Sequence, residues 1–138
     1  MSDLIVVGGG FPGLVTALAA ANQNFKVTLF DAKKSLMDSQ NHSFKPIVLN
    51  ASSWRMLETL GVTQQLAENA YGLPKMRVIR QSWAQFVFSA DGSRFDYLGF
   101  VVLGALLQNH LAEMVLKNKN INCVLGHKPT EITLEPKP

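Results

Sequence analysis

The chain has a single cysteine, Cys123, among its 138 residues, which excludes an internal disulfide and a cysteine-rich metal site. Its three histidines, His42, His110 and His127, lie far apart and show no metal-ligand spacing. Charged residues make up only 17% of the chain, and lysines and arginines never form a run of more than two. The sequence therefore predicts neither a metal site nor a nucleic-acid partner.

The chain also lacks a long uninterrupted apolar segment. Three consecutive glycines and Pro12 break the apolar N-terminal stretch, and no basic segment precedes it. This stretch therefore fits neither a signal peptide nor a membrane span. Because a lone cysteine also fits a reducing compartment, we expect a cytoplasmic protein.

Hydrophobic residues are plentiful by comparison. They make up 47% of the chain, which is enough for an ordinary buried core, and the length suits one domain. The formal net charge is +3 and the sequence pI is about 9.2. Because the basic residues are scattered, this excess is typical of a solvated surface.

The N-terminal residues follow the pattern of a βαβ unit. Leu4 to Val7 is a continuous apolar run ended by glycine, which predicts a strand buried on both faces of a parallel sheet. Phe11 to Gln23 is rich in alanine and leucine and predicts a helix, with Pro12 near its start, where a missing N–H costs little. Lys26 to Phe30 predicts a second strand, closed by Asp31. The connection between the strands should be right-handed.

The turn between the first strand and the helix satisfies G-x-G-x-x-G, from Gly8 to Gly13. Gly8 would permit the tight turn, Gly10 would let a pyrophosphate approach the backbone, and Gly13 would let the helix pack close to the sheet. The helix N-terminus offers N–H groups and the positive end of its dipole to phosphate. Asp31, eighteen residues beyond Gly13, could accept hydrogen bonds from a ribose diol.

This constellation predicts a dinucleotide site and leaves alternatives open. The motif does not separate FAD from NAD, although an acid at Asp31 disfavours NADP because it would repel a 2′-phosphate. The competing interpretations are a glycine-rich turn that binds nothing and an Asp31 that is only a surface acid at a strand end. The context of strand, helix, strand and acid favours the dinucleotide site.

Downstream patterns predict shorter elements after an irregular segment over residues 32–44. Ile47 to Leu49 indicates a short extended piece, and Ser52 or Ser53 could cap a helix that stops at Gly61. The remaining predictions are a short helix over 63–69, a β-rich segment from Lys75 to Ala90, a hairpin turn at Asp91-Gly92 before Arg94 to Tyr97, an amphipathic helix carrying Leu103, Leu106, Leu107, His110, Leu111, Met114 and Val115 on one stripe, a strand from Ile121 to Leu125, and the start of another from Glu131 to Leu134. We interpret His110 as a hydrogen-bonded residue at the edge of the core rather than as a catalyst.

The opening segment, Asp3 to Gly10 with Gly13-Leu14, resembles the start of the group A flavin monooxygenases, the p-hydroxybenzoate hydroxylase-like family. The nearest resemblance is to the ubiquinone-biosynthesis hydroxylases, which act on polyprenylated phenols. It covers nearly all 138 residues. Further segments that carry it are Lys45 to Leu49, Leu57 to Val62, Leu73 to Val78, and Leu98 to Val102 leading into Leu107 and Leu111.

The resemblance implies an α/β fold: a Rossmann-like FAD/NAD(P)-binding βαβ core with a β-hairpin piece of a substrate-side sheet, truncated relative to the family. Residues 1–138 would form the N-terminal part of an FAD-binding domain, with about 75–98 as an inserted β-rich segment. It implies FAD as cofactor, NAD(P)H as co-substrate of the parent family, and a small aromatic molecule as substrate. A lipid substrate would bring the chain to a membrane surface as a peripheral protein.

Carried onto this sequence, the resemblance assigns a cofactor site to Gly8, Gly10, Phe11, Pro12, Gly13, Asp31 and Lys45. Lys45 stands where the family usually has an arginine, and lysine keeps the charge but loses the bidentate fork. Gly104 stands where a polar side chain usually lies near the flavin, and Leu103 replaces an acid common in the ubiquinone group. No convincing catalytic set is present, because in this family the flavin carries out the oxygen chemistry.

Length is the larger departure from the family, whose members run to several hundred residues and carry a later Gly-Asp motif that this chain lacks. We therefore expect a fragment of a longer enzyme or a degenerate gene product, inactive by itself, whose exposed apolar surface favours self-association. One alternative is another FAD or NAD oxidoreductase with the same βαβ opening. The other is a non-catalytic chain that folds but binds no flavin, which Lys45 and Gly104 favour.

Overall fold

A computed structural model describes residues 1–37, 45–81, 84–92 and 96–131 of the chain. The predictions on residues 38–44, including His42, on Arg94-Phe95 and on residues 132–134 lie outside the described residues. The strands are β1 Leu4–Val7, β2 Val27–Asp31, β3 Pro46–Asn50, β4 Tyr71–Leu73, β5 Lys75–Gln81, β6 Ala84–Ser89, β7 Gly99–Leu103 and β8 Ile121–Leu125. The helices are α1 Phe11–Asn22, α2 Ala51–Thr59, α3 Thr63–Leu66, a 3₁₀ turn Ala67–Asn69 and α4 Gly104–Lys117.

The chain divides into two compact units. The first comprises Met1–Ser39 and Leu111–Pro138, and the second comprises Gln40–His110. Helix α4 runs from the second unit into the first. Among the described residues, no helix has both the length and the hydropathy of a membrane span.

The first unit is built on a parallel sheet in the order β1-β2-β8. Val6 pairs with Leu29 and Leu29 with Cys123, so these side chains share one face of the sheet. Helix α1 packs against all three strands, and its Leu14 and Ala17 are fully buried. The predicted βαβ unit and the strand from Ile121 to Leu125 are confirmed, and the architecture is a Rossmann-like α/β fold.

Strand β1 is covered on one face only, so the prediction of a strand buried on both faces is wrong. Val6, which faces α1, is 8% exposed, whereas Ile5 and Val7 are 63% and 57% exposed. A continuous apolar run does not reveal which face an element covers, because its side chains are apolar on both sides. In the described residues, the second face carries Ile5 and Val7, which are in register with Thr28 and Phe30 of β2.

The turn from β1 into α1 depends on two glycines. Gly8 has a φ of +106°, in the left-handed region that residues with a Cβ avoid. Its N–H donates to the Phe30 carbonyl at 2.8 Å, which ties the end of β1 to β2. At Gly13 a Cβ would overlap the carbonyl oxygen of Gly8, so only glycine lets the helix lie this close to the strand.

The second unit is built on an antiparallel sheet in the order β3-β7-β4, with α2 packed on β3 and β7. Strands β4 and β7 were not predicted. Trp54 of α2 stacks on Phe100 of β7 with ring centroids 4.1 Å apart. The cap of α2 is Asn50, whose Oδ1 accepts from the Ser53 N–H at 2.8 Å, so the prediction of a serine cap is wrong. Asn50 ends β3 and the helix follows without a linker, which leaves neither serine in the cap position.

The hairpin of the second unit pairs β5 with β6, which lie within the predicted β-rich segment. The predicted hairpin across Asp91-Gly92 stays a prediction, because part of its second arm, Arg94 to Tyr97, lies outside the described residues. Asp91-Gly92 is a turn, with Gly92 at a φ of +77°, but it follows the hairpin. Asp91 closes the base of the ribbon with Lys75 at 3.2 Å, and hydrogen bonds from Ser89 and Lys75 hold the pKa of Asp91 below its usual value.

The predicted amphipathic helix is confirmed as α4, and its Leu107, Leu111 and Val115 are fully buried. Leu103 is not part of it, because it is the last residue of β7 and is 38% exposed. His110 is buried as expected, but its Nε2 has no hydrogen-bond partner among the described residues. The expectation of a hydrogen bond therefore fails at this ring nitrogen.

Replacing Gly13 with alanine should destabilise the first unit. The added methyl would overlap the Gly8 carbonyl, and we expect the free energy of unfolding to fall by about 1–3 kcal/mol, the usual cost of overpacking. Gly10→Ala is the matched control, because a Cβ there would meet only the Pro12 Cδ, at 4.0 Å. Urea denaturation should leave Gly10→Ala within about 0.5 kcal/mol of the parent. Equal losses in the two variants would contradict this account of the turn.

Replacing Asn50 with alanine should remove the cap of α2 and lower the free energy of unfolding by about 1 kcal/mol. Asn50→Asp keeps an oxygen acceptor for the Ser53 N–H and places a negative charge at the helix N-terminus, so it should stay close to the parent. Thermal unfolding followed by circular dichroism measures both. A melting temperature unchanged in Asn50→Ala would show that the cap does not stabilise the helix.

Candidate functional site

The glycine turn presents the N-terminus of α1 to an open space. Gly10 is the N-cap residue, with extended backbone and no capping side chain, and its carbonyl accepts from the Leu14 N–H at 3.0 Å. Phe11 and Pro12 form the first turn, in which helical N–H groups have no partner within the helix. Since Gly10 has no side chain and little lies near its missing Cβ, an anion could reach these N–H groups closely.

Asp31 is joined directly to the glycine turn. Its Oδ2 accepts from the Gly9 N–H at 2.5 Å and its Oδ1 accepts from the Lys33 N–H at 2.7 Å. The carboxylate is half-buried, and a Cβ at Gly9 would collide with Leu36 and crowd this carboxylate. Each carboxylate oxygen can accept a second hydrogen bond, so both backbone contacts leave room for a diol. The structure thus brings together the two parts of the motif that the sequence separates by eighteen residues.

The end of β8 completes the surroundings of Asp31, which the sequence did not predict. Gly126 donates its N–H to the Lys33 carbonyl at 2.9 Å, and His127 donates its N–H to the Asp31 carbonyl at 3.1 Å. Gly126 has a φ of +75°, which turns the chain as it leaves the strand. The sequence did hold one signal for this position, since Gly126 directly follows a predicted strand. Ligands bind beyond the carboxyl ends of the parallel strands in sheets of this kind.

A groove of about 650 Å³ opens on the uncovered face of the same sheet. Its floor is apolar and its rim carries polar and charged side chains. The lining residues are Ile5, Val7, Phe30, His127, Lys128, Pro129, Thr130 and Glu131. No residue of the predicted cofactor site lines it.

Lys45 and Gly104, the two predicted departures from the family pattern, are neighbours in the second unit. The Lys45 carbonyl accepts from the Gly104 N–H at 3.0 Å, at the point where β3 begins and α4 follows β7. Lys45 is exposed and Gly104 is buried. These residues belong to the second unit, whereas Gly8, Gly10, Phe11, Pro12, Gly13 and Asp31 belong to the first.

The second unit has a smaller cavity of about 210 Å³ beside the aromatic stack. Trp54 donates its Nε1–H to Glu58 at 3.1 Å, and Tyr97 meets Phe100 edge-on at 5.3 Å. Arg55 and Asp96 also line this cavity. The ring stacking and the Trp54 hydrogen bond explain the positions of these aromatic residues as packing within the second unit.

The described residues contain no cluster of histidine, cysteine, aspartate and glutamate that could hold a metal ion. Cys123 lies half-buried on β8, and burial raises the pKa of its thiol. A raised pKa keeps the sulfur protonated at neutral pH, which makes it a poor nucleophile.

Residues 6–57 match the family model of an NAD(P)-binding Rossmann-like domain. This match covers the end of β1, the glycine turn, α1 and β2 with Asp31, and it extends into α2. Comparison with curated proteins gives no match.

Solved structures of several oxygenases share the fold at low sequence identity. The p-nitrophenol 4-monooxygenase PnpA of Pseudomonas putida DLL-E4 is 19% identical, with a TM-score of 0.77 over 98% of this chain and 34% of its own. PqsL of Pseudomonas aeruginosa, a probable FAD-dependent monooxygenase, is 13% identical, with a TM-score of 0.69 over 91% of this chain and 33% of its own. A variant of 2-methyl-3-hydroxypyridine-5-carboxylic acid oxygenase is 19% identical, with a TM-score of 0.69 over 89% of this chain and 31% of its own.

The chain spans about a third of the length of each of these structures. At identities below 20% the likeness is one of fold. The chain therefore contains a Rossmann-like βαβ unit and shares its fold with part of each of these oxygenase structures.

Proposed function

We propose that the first unit binds the ADP half of FAD and that the chain is the FAD-binding portion of a flavin-dependent monooxygenase that hydroxylates an aromatic ring. The observation that carries the proposal is the hydrogen bond between Asp31 and Gly9, which sets a carboxylate beside an open helix N-terminus. In both FAD and NAD, a ribose diol lies next to the pyrophosphate. The two halves of the site therefore match one ligand.

The residues of the turn would each act on a different part of the pyrophosphate site. The N–H groups at the start of α1 would donate to phosphate oxygens, and the absence of a Cβ at Gly10 would allow that approach. Gly8 and Gly13 would hold the turn in shape without touching the ligand. Phe11 and Pro12 would border the phosphates through their backbone.

Asp31 would accept hydrogen bonds from the adenosine ribose, and its charge would repel a 2′-phosphate. This supports FAD or NAD over NADP as the resident dinucleotide. FAD is favoured because a solved structure with the same fold is described as a probable FAD-dependent monooxygenase. When bound, FAD would supply the redox and oxygen chemistry, with NAD(P)H as its reductant.

The flavin half of the site would involve Lys45, whose charge could contact the cofactor without the fork of an arginine. A polyprenylphenol of ubiquinone biosynthesis is our proposed substrate, and such a lipid would hold the enzyme at a membrane surface. Cytoplasmic location is part of the same proposal. No residue of the chain is assigned a catalytic role.

A second candidate function is a folded chain that binds no flavin. Gly104 favours it, because a glycine at the junction of β7 and α4 offers no side chain to a flavin. A third is another FAD or NAD oxidoreductase with the same opening unit, which the match to an NAD(P)-binding Rossmann-like domain also allows. Ligand preference separates the three.

Equilibrium dialysis of the purified chain against FAD should show saturable binding at one site. ADP should displace the bound FAD and FMN should not, because the proposed contacts lie on the ADP half. If NAD displaces FAD as well as ADP does and binds more tightly than FAD, the result would favour another FAD or NAD oxidoreductase with the same opening unit. If the chain retains no FAD at excess ligand, the folded chain that binds no flavin is the remaining candidate.

Gly10→Ala should weaken FAD binding at least about tenfold, which corresponds to roughly 1.4 kcal/mol of binding free energy. The added methyl would occupy the space that a phosphate needs, although the unliganded fold has room for it. Val48→Ala, an exposed position in the second unit, is the control and should bind FAD normally. Unchanged affinity in a folded Gly10→Ala would place the dinucleotide elsewhere.

A further inference from the structure

Gly9 lies between the first two glycines of the turn, at a position where the motif G-x-G-x-x-G accepts any residue. Its φ is not in the left-handed region, unlike that of Gly8, so its backbone conformation does not require glycine. It is nevertheless buried, and a Cβ there would overlap the Cδ2 of Leu36 and lie 3.0 Å from the Oδ2 of Asp31. Glycine is therefore required at this position for space, which Leu36 and Asp31 occupy.

Leu36 reaches Gly9 from the segment that follows β2. Its side chain is only 4% exposed, although the segment forms neither a helix nor a strand. Closer to β2 the segment is fixed at Lys33, whose N–H donates to Asp31 Oδ1 at 2.7 Å and whose carbonyl accepts from the Gly126 N–H at 2.9 Å. Leu36 fastens the segment at a second point, by an apolar contact with the glycine turn.

The side chain of Leu36 lies beside the hydrogen bond from the Gly9 N–H to Asp31. The Leu36 Cδ2 and the Asp31 Oδ2 both approach the position of the missing Gly9 Cβ, so they occupy the same side of that residue. An apolar group in this place keeps water from competing for the N–H and the carboxylate, and a charge-assisted hydrogen bond is stronger where water is excluded. The contact therefore keeps the carboxylate on the Gly9 N–H.

We propose that Leu36 is a positioning residue of the dinucleotide site, which holds the Asp31 carboxylate in the orientation that a ribose diol requires. This inference rests on the proposed function. Each carboxylate oxygen accepts one backbone N–H, from Gly9 or from Lys33, so the remaining lone pairs point in fixed directions. A ligand with a diol then meets acceptors that are already oriented, which lowers the cost of binding.

The competing interpretation is that Leu36 only fills space in the core. Truncating it would then destabilise the first unit and weaken every ligand of the site by the same factor. A positioning role predicts instead a loss that is larger for ligands with a diol. The two interpretations also differ at the Gly9 amide, because only the positioning role links its hydrogen bond to Leu36.

Hydrogen exchange followed by NMR on the unliganded chain tests the contact itself. In Leu36→Ala the Gly9 amide should exchange at least about tenfold faster than in the parent, relative to the Leu29 amide in the central strand, because water reaches its hydrogen bond. Leu18→Ala is the matched control, since Leu18 is a buried leucine of α1, 2% exposed. It should leave the ratio of the two exchange rates unchanged.

The preference for a diol tests the role in binding. The parent should bind ADP at least about tenfold more tightly than 2′,3′-dideoxy-ADP, because hydrogen bonds to a charged acceptor are strong. Leu36→Ala should reduce this preference at least about threefold, mainly by raising the dissociation constant of ADP. Leu18→Ala should retain the preference, and calorimetric titration measures all of these dissociation constants.

A double variant tests whether Gly9 and Leu36 act together. Gly9→Ala places a methyl group where the Leu36 side chain lies, so it should weaken ADP binding by displacing that side chain. Adding Leu36→Ala to Gly9→Ala should then change the ADP dissociation constant less than about twofold, since the contact is already lost. Circular dichroism should show that each variant is folded.

An unchanged exchange ratio in a folded Leu36→Ala variant would show that Leu36 does not hold the carboxylate. An undiminished diol preference in that variant would show that the residue only fills space, and losses that simply add in the double variant would contradict the shared contact. In each of these cases, FAD binding by the parent would leave the proposed function intact. A parent that binds neither ADP nor FAD would overturn both the proposed function and this role of Leu36.

Discussion

The close approach of Gly13 to the Gly8 carbonyl is the contact on which the first unit depends. With no Cβ between them, α1 lies directly on the sheet and buries Leu14 and Ala17 against it. The same approach turns the N-terminus of the helix toward the end of β1. Packing and the candidate site thus have one steric cause, because a larger residue at Gly13 would move the helix away from both.

Asp31 makes the second connection in this unit. Its carboxylate holds the N–H of Gly9, its own carbonyl holds the N–H of His127, and Gly126 reaches the Lys33 carbonyl. The Asp31 side chain therefore joins the end of β2 to the glycine turn, and backbone hydrogen bonds join the end of β8 to the end of β2. A dinucleotide entering this site would meet a largely formed surface, which lowers the conformational cost of binding.

The uncovered face of the sheet follows from the strand order. A doubly wound sheet continues beyond its first strand and binds its ligand where the order reverses. The described residues form three strands on one side of that point, and β1 is their edge. In the described residues, the glycine turn therefore adjoins an apolar strand whose Ile5 and Val7 are exposed.

Much of this arrangement was predicted from the sequence where the cause is local. Glycine sterics, helix periodicity and the spacing to Asp31 predicted β1, α1, β2, α4, β8 and the site around the turn. Local patterns could not predict that Asn50 caps α2 or that Gly126 and His127 adjoin Asp31. They also did not divide the β-rich segment from Lys75 to Ala90 into the two paired strands β5 and β6, since an apolar segment does not specify where a chain turns back on itself.

By itself, then, the sequence determined the shape of the glycine turn and the chemistry of Asp31, because both follow from the residues at those positions. The tertiary structure decided which side of β1 is covered, and it brought Lys45 next to Gly104. Pairing between distant strands sets these features, and an apolar run such as Leu4 to Val7 is compatible with more than one partner.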